Sequence, residues 1–146
     1  MTLLVDAGNT ALKWALAGAD GRPQAVHVEV HRGVNDLAQR LAMKWRTLAA
    51  KRAIGCSVAS PEVVAAIETA AAENGLALQW LRSEARYCGD FVLENCYRTP
   101  SQLGADRWHG MLGSCLIYPR RSLVRVAAGT ATTIDCIEWT SGPAQF

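Results

Sequence analysis

Apolar residues along the chain alternate, cluster or recur every three to four positions, and their order predicts its elements. Residues 2–5 and 11–17 read as two strands joined by a turn from Asp6 to Thr10. A second turn, Gly18-Ala19-Asp20-Gly21, leads to a third strand near 24–30. Across residues 34–50 the positions Val34, Leu37, Ala38, Leu41, Ala42, Trp45 and Leu48 recur at helical spacing. Residues 53–58 form a short apolar run, consistent with a buried strand. Ser60-Pro61-Glu62 opens a second helix, with serine as N-cap and proline at the first helical position. Asn74-Gly75 closes that helix, and residues 76–81 return as a strand. The order β-β-β-α-β-α-β predicts a mixed α/β layer that begins with an antiparallel meander.

Further on the signals change. Residues 84–100 read as irregular, a third helix spans about 104–117, and residues 122–127 and 131–138 form a second strand–turn–strand with Gly129-Thr130 at its bend. The tail from Trp139 to Phe146 has no apolar period and reads as a loop or a cut end.

Composition narrows the function classes. The 146 residues suit one domain, or a domain and a fraction, and half of them are apolar. Formal net charge is only +2 with no run of one sign, which argues against a basic stripe for nucleic acid. Arg120 and Arg121 are adjacent but isolated, and mark a helix end or loop. Five cysteines (Cys56, Cys88, Cys96, Cys115 and Cys136) form no Cys-x-x-Cys pair, which suits reduced, inert, buried thiols. The first residues lack the basic and apolar regions of a signal peptide, and no run reaches the roughly 18 apolar residues of a membrane helix. A soluble, cytoplasmic protein is the expectation.

The chemistry concentrates in three stretches. Asp6-Ala7-Gly8-Asn9-Thr10-Ala11-Leu12-Lys13 puts a carboxylate at a strand tip beside a turn of small residues. That carboxylate suits Mg²⁺, which prefers hard oxygens and keeps several waters. Gly8 admits a close backbone approach to a phosphate, Asn9 and Thr10 can donate to its oxygens, and Lys13 returns on the next strand. The same residues also make an ordinary tight hairpin turn. Gly129-Thr130-Ala131-Thr132-Thr133 repeats the design ahead of Asp135, although threonines are also plain strand formers. Two such turns suggest two phosphate loops facing each other across a cleft. Between them, Asp106 and Arg107 stand at a helix start, where N–H groups and the helix dipole favour anions. There Asp106 can accept a hydroxyl proton and Arg107 can clamp a carboxylate, or both can be ordinary first-turn residues.

Taken together, Asp6-x-Gly8-Asn9-Thr10-x-x-Lys13, Tyr97-x-x-Pro100-x-x-Leu103-Gly104-x-Asp106-Arg107 and Gly129-Thr130-Ala131-x-Thr133-x-Asp135 resemble the type III pantothenate kinases. These belong to the acetate-and-sugar-kinase, heat-shock-70 and actin superfamily. The resemblance implies an α/β, ribonuclease-H-like (actin-like ATPase) domain over residues 1–117 and the first hairpin of a second such domain over 118–146. It implies ATP-dependent phosphorylation of pantothenate to 4′-phosphopantothenate, in coenzyme A synthesis, by a homodimer. Asp6, Ala7, Gly8, Asn9, Thr10, Ala11, Leu12 and Lys13 would then bind ATP, with Asp6 near Mg²⁺ and Thr130 on the second phosphate loop. Tyr97, Gly104, Ala105, Asp106 and Arg107 would contact pantothenate, with Asp106 as catalytic base.

Two features depart from that family. Its members commonly carry an aspartate three residues before the threonine of the second loop, as ligand to K⁺ or NH₄⁺, where this chain has Ala127. They also run on for roughly another hundred residues, so the expectation is a fragment with an exposed hairpin face and little kinase activity of its own. A non-catalytic relative is the alternative, and a superfamily enzyme with a different acceptor is a third. His27 and His31 are four apart, a metal spacing only on a helix, and fall on a strand. His109 could line the substrate site, and a surface helix position fits it as well. Trp14, Trp45, Trp80, Trp108 and Trp139 read as core or interface, with Trp108 a candidate subunit contact.

Overall fold

β1 (Thr2–Ala7) alternates buried and partly exposed residues, and its inward set is Leu3, Val5 and Ala7. It pairs antiparallel with β2 (Ala11–Leu16), which pairs antiparallel with β3 (His27–Val30). The first helix, α1 (Leu37–Trp45), precedes β4 (Arg52–Ser57), which runs parallel to β1. A second helix, α2 (Pro61–Glu73), is the crossover that parallel pairing requires between β4 and β5 (Ala77–Trp80). The result is a five-stranded mixed sheet in the order β3-β2-β1-β4-β5. The structure, a computed structural model, describes residues 1–31, 34–139 and 142–146.

Both helices bury their apolar stripe against the inward face of this sheet. Leu37, Leu41 and Trp45 of α1 and Val63, Ile67 and Ala70 of α2 join Leu3, Val5, Leu12 and Trp14 in one core. Pro61 opens α2, and its end has the double turn that satisfies terminal carbonyls: Leu76 N–H donates to Ala71 and Gly75 N–H to Ala72. Gly75 has φ +63°, a left-handed conformation that glycine adopts without steric cost. Glu29 turns inward from β3 and is buried, and Lys44 and Arg40 of α1 neutralise it.

Residues 1–81 and 82–146 form separate compact units. The second unit begins with β6 (Arg86–Cys88) and β7 (Val92–Glu94), then a 3-10 turn at Pro100–Gln102 and the helix α3 (Ala105–Ile117). The hairpin β8 (Leu123–Ala128) and β9 (Thr132–Ile137) follows, and β10 (Ala144–Gln145) closes the chain by pairing parallel with β7. Leu93, Leu103, Trp108, Met111, Cys115, Ile137 and Ala144 make its core, so α3 packs with the hairpin β8–β9. The division by packing thus falls at 81/82, whereas the resemblance draws its halves at 117/118.

Several local expectations change. Asp6 and Ala7 belong to β1, so the turn proper is Gly8 to Thr10. Residues 84–100, expected to be irregular, contain β6 and β7, and the tail contains β10; Thr140 and Ser141 of that tail lie outside the described residues. Cys88, Cys96 and Cys136 are exposed and Cys56 is half-buried, so of the five thiols expected to be buried only Cys115 is. The hairpin β8–β9 has the exposed apolar face that was expected: Val124, Val126 and Ile134 are 67%, 62% and 65% exposed. Its inward set carries the charged cross-strand pair Arg125 and Asp135.

Candidate functional site

In the first unit, strand register builds the loop. Asp6 and Lys13 are cross-strand partners in β1 and β2, and the Lys13 ammonium lies 3.6 Å from the Asp6 carboxylate. Both side chains are about half exposed, so the pair is screened by water and free to exchange for a ligand. Gly8 N–H donates to the Ala11 carbonyl at 3.1 Å and closes the turn, leaving Asn9 and Thr10 exposed at its tip. His31, buried at the end of β3, fastens the turn from below. Its Nε2–H donates to the Gly8 carbonyl at 3.0 Å, and its backbone N–H donates to Thr10 at 3.1 Å. His27 instead stacks on Trp14, with ring centroids 4.0 Å apart.

In the second unit a charged cluster sits under the start of α3. Asp106 and Arg107 occupy its first turn, where Arg107 and Trp108 N–H both reach back to the Gly104 carbonyl. The N–H groups of Ala105 and Asp106 come earlier and have no helical acceptor, leaving an end that favours negative charge. Asp106 is half-buried, and among the described residues no hydrogen bond or ion pair engages its carboxylate. Arg107 turns toward the hairpin β8–β9. Its Nε and Nη2 donate to Asp135 Oδ1 at 2.9 and 2.5 Å, and its Nη1 donates to Tyr97 Oη at 3.0 Å.

Asp135 is fully buried and takes a second cation on its other oxygen, with Arg125 Nη1 donating to Oδ2 at 3.1 Å. Burying a carboxylate is costly unless it is paired and hydrogen-bonded, and two guanidinium groups meet that requirement. Hydrogen bonding to Asp135 raises the Arg107 pKa further, so this side chain keeps its charge throughout. The guanidinium carbon of Arg107 stands 5.8 Å from the ring centres of both Tyr97 and Phe146, which stack nearly parallel. Phe146 arrives there because β10 lies beside β7: its N–H donates to Glu94, and Cys96 N–H donates to its carbonyl.

The loop bearing Tyr97 is held by buried Asn95. Its Oδ1 accepts from Tyr97 N–H at 3.1 Å, and its Nδ2 donates to the carbonyls of Glu84 and Pro100. Ser83 Oγ donates to Leu103 at 2.7 Å, immediately before Gly104. Thr130 is exposed at the bend of the hairpin. Ala127 on β8, facing inward with Arg125, offers no side-chain oxygen.

A family model described as type III pantothenate kinase matches residues 2–142. The chain belongs to the type III pantothenate kinase family. Proteins so named in Cupriavidus taiwanensis and Laribacter hongkongensis are 42% and 39% identical to it, over 92% and 94% of this chain and 53% of each relative. Another in Paraburkholderia phymatum is 38% identical over 92% of this chain and 49% of its own length. The chain therefore spans about half the length of the curated relatives it matches.

Asp6 to Lys13 lie on one turn of the first unit. Tyr97, Gly104, Ala105, Asp106 and Arg107 lie around one helix start of the second. Asn95, Arg125 and Phe146 are supporting residues that the motifs do not include; Asp135 is in a motif and His31 is legible as a strand residue, but neither is singled out for the contact it makes. A charge at an inward strand position was the available signal for Arg125, and motif position the signal for Asp135. No helix among the described residues is long and apolar enough to cross a membrane.

Proposed function

We propose that this chain carries nucleotide- and acceptor-binding residues of an ATP-dependent pantothenate kinase, which forms 4′-phosphopantothenate for coenzyme A synthesis. The carrying observation is Arg107, a permanently charged fork fixed by Asp135 beside the Tyr97 ring, one residue from the Asp106 carboxylate, which is unpaired among the described residues. Pantothenate offers a carboxylate for the fork and a primary hydroxyl for the base. Gly104 and Ala105 frame the same helix start.

Phosphoryl transfer asks chiefly for positioning and charge neutralisation. Asp106 accepts the hydroxyl proton as the oxygen bonds to the terminal phosphorus of ATP and the bond from that phosphorus to its bridging oxygen breaks, releasing ADP. Asp6, Ala7, Gly8, Asn9, Thr10, Ala11, Leu12 and Lys13 cradle phosphates with backbone and side-chain donors, and Thr130 adds a hydroxyl. The donor set suits Mg²⁺, since one half-exposed carboxylate, Asp6, is enough for an ion that keeps its waters and takes phosphate oxygens. When bound, Mg²⁺ supplies neutralisation of phosphate charge. The position of Ala127 does not suit K⁺ or NH₄⁺, for want of a side-chain oxygen, and no step depends on such an ion.

The β3-β2-β1-β4-β5 order of the first sheet supports reading the fold as ribonuclease-H-like. On that reading residues 1–117 and 118–146 belong to two homologous halves. The outward Val124, Val126 and Ile134 suit a strand pair belonging to a larger sheet assembly. A cytoplasmic homodimer accompanies the same reading.

The test is titration of the chain with pantothenate in the presence of ATP and Mg²⁺, with the products separated. Pantothenate binding to the chain, retained in Asp106→Asn, supports the proposal, and in a protein of the relatives' full length the same substitution abolishes product formation. Absence of pantothenate binding refutes it. Binding without product in the parent chain fits the low activity expected of a chain half its relatives' length; the same result in a chain of the relatives' full length supports the second reading, a non-catalytic relative, which Ala127 favours.

A further inference from the structure

Arg107, Asp135 and Arg125 form a cluster of three charges in which a single carboxylate faces two guanidinium groups. The two cations approach different oxygens: Arg107 takes Oδ1 through Nε and Nη2, and Arg125 takes Oδ2 through Nη1. One positive charge is left over. Arg107 also has donors to spare, since Nη1 gives one hydrogen to Tyr97 and Nη2 gives one to Asp135. One N–H on each terminal nitrogen is therefore without a partner among the described residues, which is the fork that a second carboxylate accepts. Arg125 is held in place: it is the β9-facing partner of Asp135 in register, and its guanidinium lies over Gly110 of α3, where any side chain would collide with it.

We infer that Arg125 sets the charge of the acceptor site by neutralising Asp135 from its second oxygen, leaving the positive charge of Arg107 for an anionic ligand group. Asp135 is the positioning residue that fixes the Arg107 fork, and Arg125 prevents that same carboxylate from cancelling it. Without Arg125, Arg107 and Asp135 would be a closed neutral pair with little attraction for a further carboxylate. The inference deepens the pantothenate reading and rests on it for the identity of the ligand.

The experiment compares pantothenate with its primary amide, nearly the same shape but uncharged, by calorimetric titration of the parent chain and Arg125→Met. Methionine keeps an apolar stem over Gly110 and removes the charge. Pantothenate affinity is expected to fall about tenfold, as for loss of a unit charge one side chain away in a half-wet site, while amide affinity stays the same. Arg125→Lys, which restores the charge, is expected to restore pantothenate affinity to within about threefold of the parent. Equal losses for acid and amide, or no loss for the acid, overturn the inference. If Arg125→Met fails to fold by circular dichroism, Arg125→Gln, a neutral donor to Asp135, carries the same comparison.

Should the parent bind neither compound, the pantothenate reading falls, and the charge assignment is judged on Arg107 itself. Its Nε–H resonance is then followed by NMR during titration with acetate. A saturating shift in the parent that is absent in the neutral variant supports the assignment; equal shifts in both, or none in the parent, overturn it.

Discussion

Adding one methyl group to α3 tests whether the charged cluster is as tightly built as its geometry states. Gly110 and Gly113 both lie within α3. A Cβ on Gly110 would stand 2.6 Å from Arg125 Cζ and Nη2, whereas one on Gly113 would meet nothing within 4 Å. Replacing helical glycine by alanine stabilises by about 1 kcal/mol through helix propensity alone. Gly113→Ala should show that gain. Gly110→Ala gains the same but must displace the Arg125 guanidinium. The arginine stem is flexible, so the steric cost is small; the cost is the charged hydrogen bond to buried Asp135. Such a bond contributes about 1.5–3 kcal/mol. The net effect of Gly110→Ala is then a loss of about 0.5–2 kcal/mol, of opposite sign to its neighbour three residues on. Urea unfolding followed by circular dichroism reads both variants against the parent. If Gly110→Ala is as stabilising as Gly113→Ala, Arg125 does not depend on that space, and the account of the cluster is wrong.

Other consequences are open to measurement. His31→Ala removes the Nε2–H donor to the part-buried Gly8 carbonyl, which should cost about 0.5–1.5 kcal/mol. Amide exchange at Gly8 and at Thr10-adjacent positions should quicken more than at β4; unchanged exchange would refute the tether. Asn95→Ala removes three hydrogen bonds at a buried position, including the one to Tyr97 N–H, so a loss of about 2–4 kcal/mol in urea unfolding is expected. A loss under 1 kcal/mol would show the 95–100 loop to be held otherwise. Burial pushes the Cys115 thiol pKa up, so less thiolate forms at pH 8. Its alkylation should trail Cys88, Cys96 and Cys136 by at least about tenfold, and comparable rates by mass spectrometry would contradict that.

The first unit was largely legible in the sequence because each of its elements carries its own local signal. Pro61 and Asn74-Gly75 bracket α2, and Leu37, Leu41 and Trp45 mark the buried stripe of α1. The strand ends were less legible: β1 runs two residues further than its apolar run, since Asp6 and Ala7 are fixed by pairing with Lys13 and Leu12 across the ladder. β6, β7 and β10 were not legible. At two or three residues each they are too short to show a period, and their pairing brings Leu93 beside Ala144 from far along the chain. The charged cluster shows the same limit. Asp106 and Arg107 were visible as a helix start, but Arg107 meets Asp135 across 28 positions of sequence. The outward face of the hairpin's valines and Ile134 was expected, but nothing local shows that Arg125 and Asp135 take the inward side.

The claim on which the rest depends is that Arg107 grips the carboxylate of the acceptor. Calorimetric titration of the chain with pantothenate, parent against Arg107→Ala, tests it most directly. Loss of one charge-assisted fork should weaken binding by at least about tenfold, in line with the 1.5–3 kcal/mol of such contacts, with the fold unchanged by circular dichroism. Equal affinity in the two proteins would contradict the account.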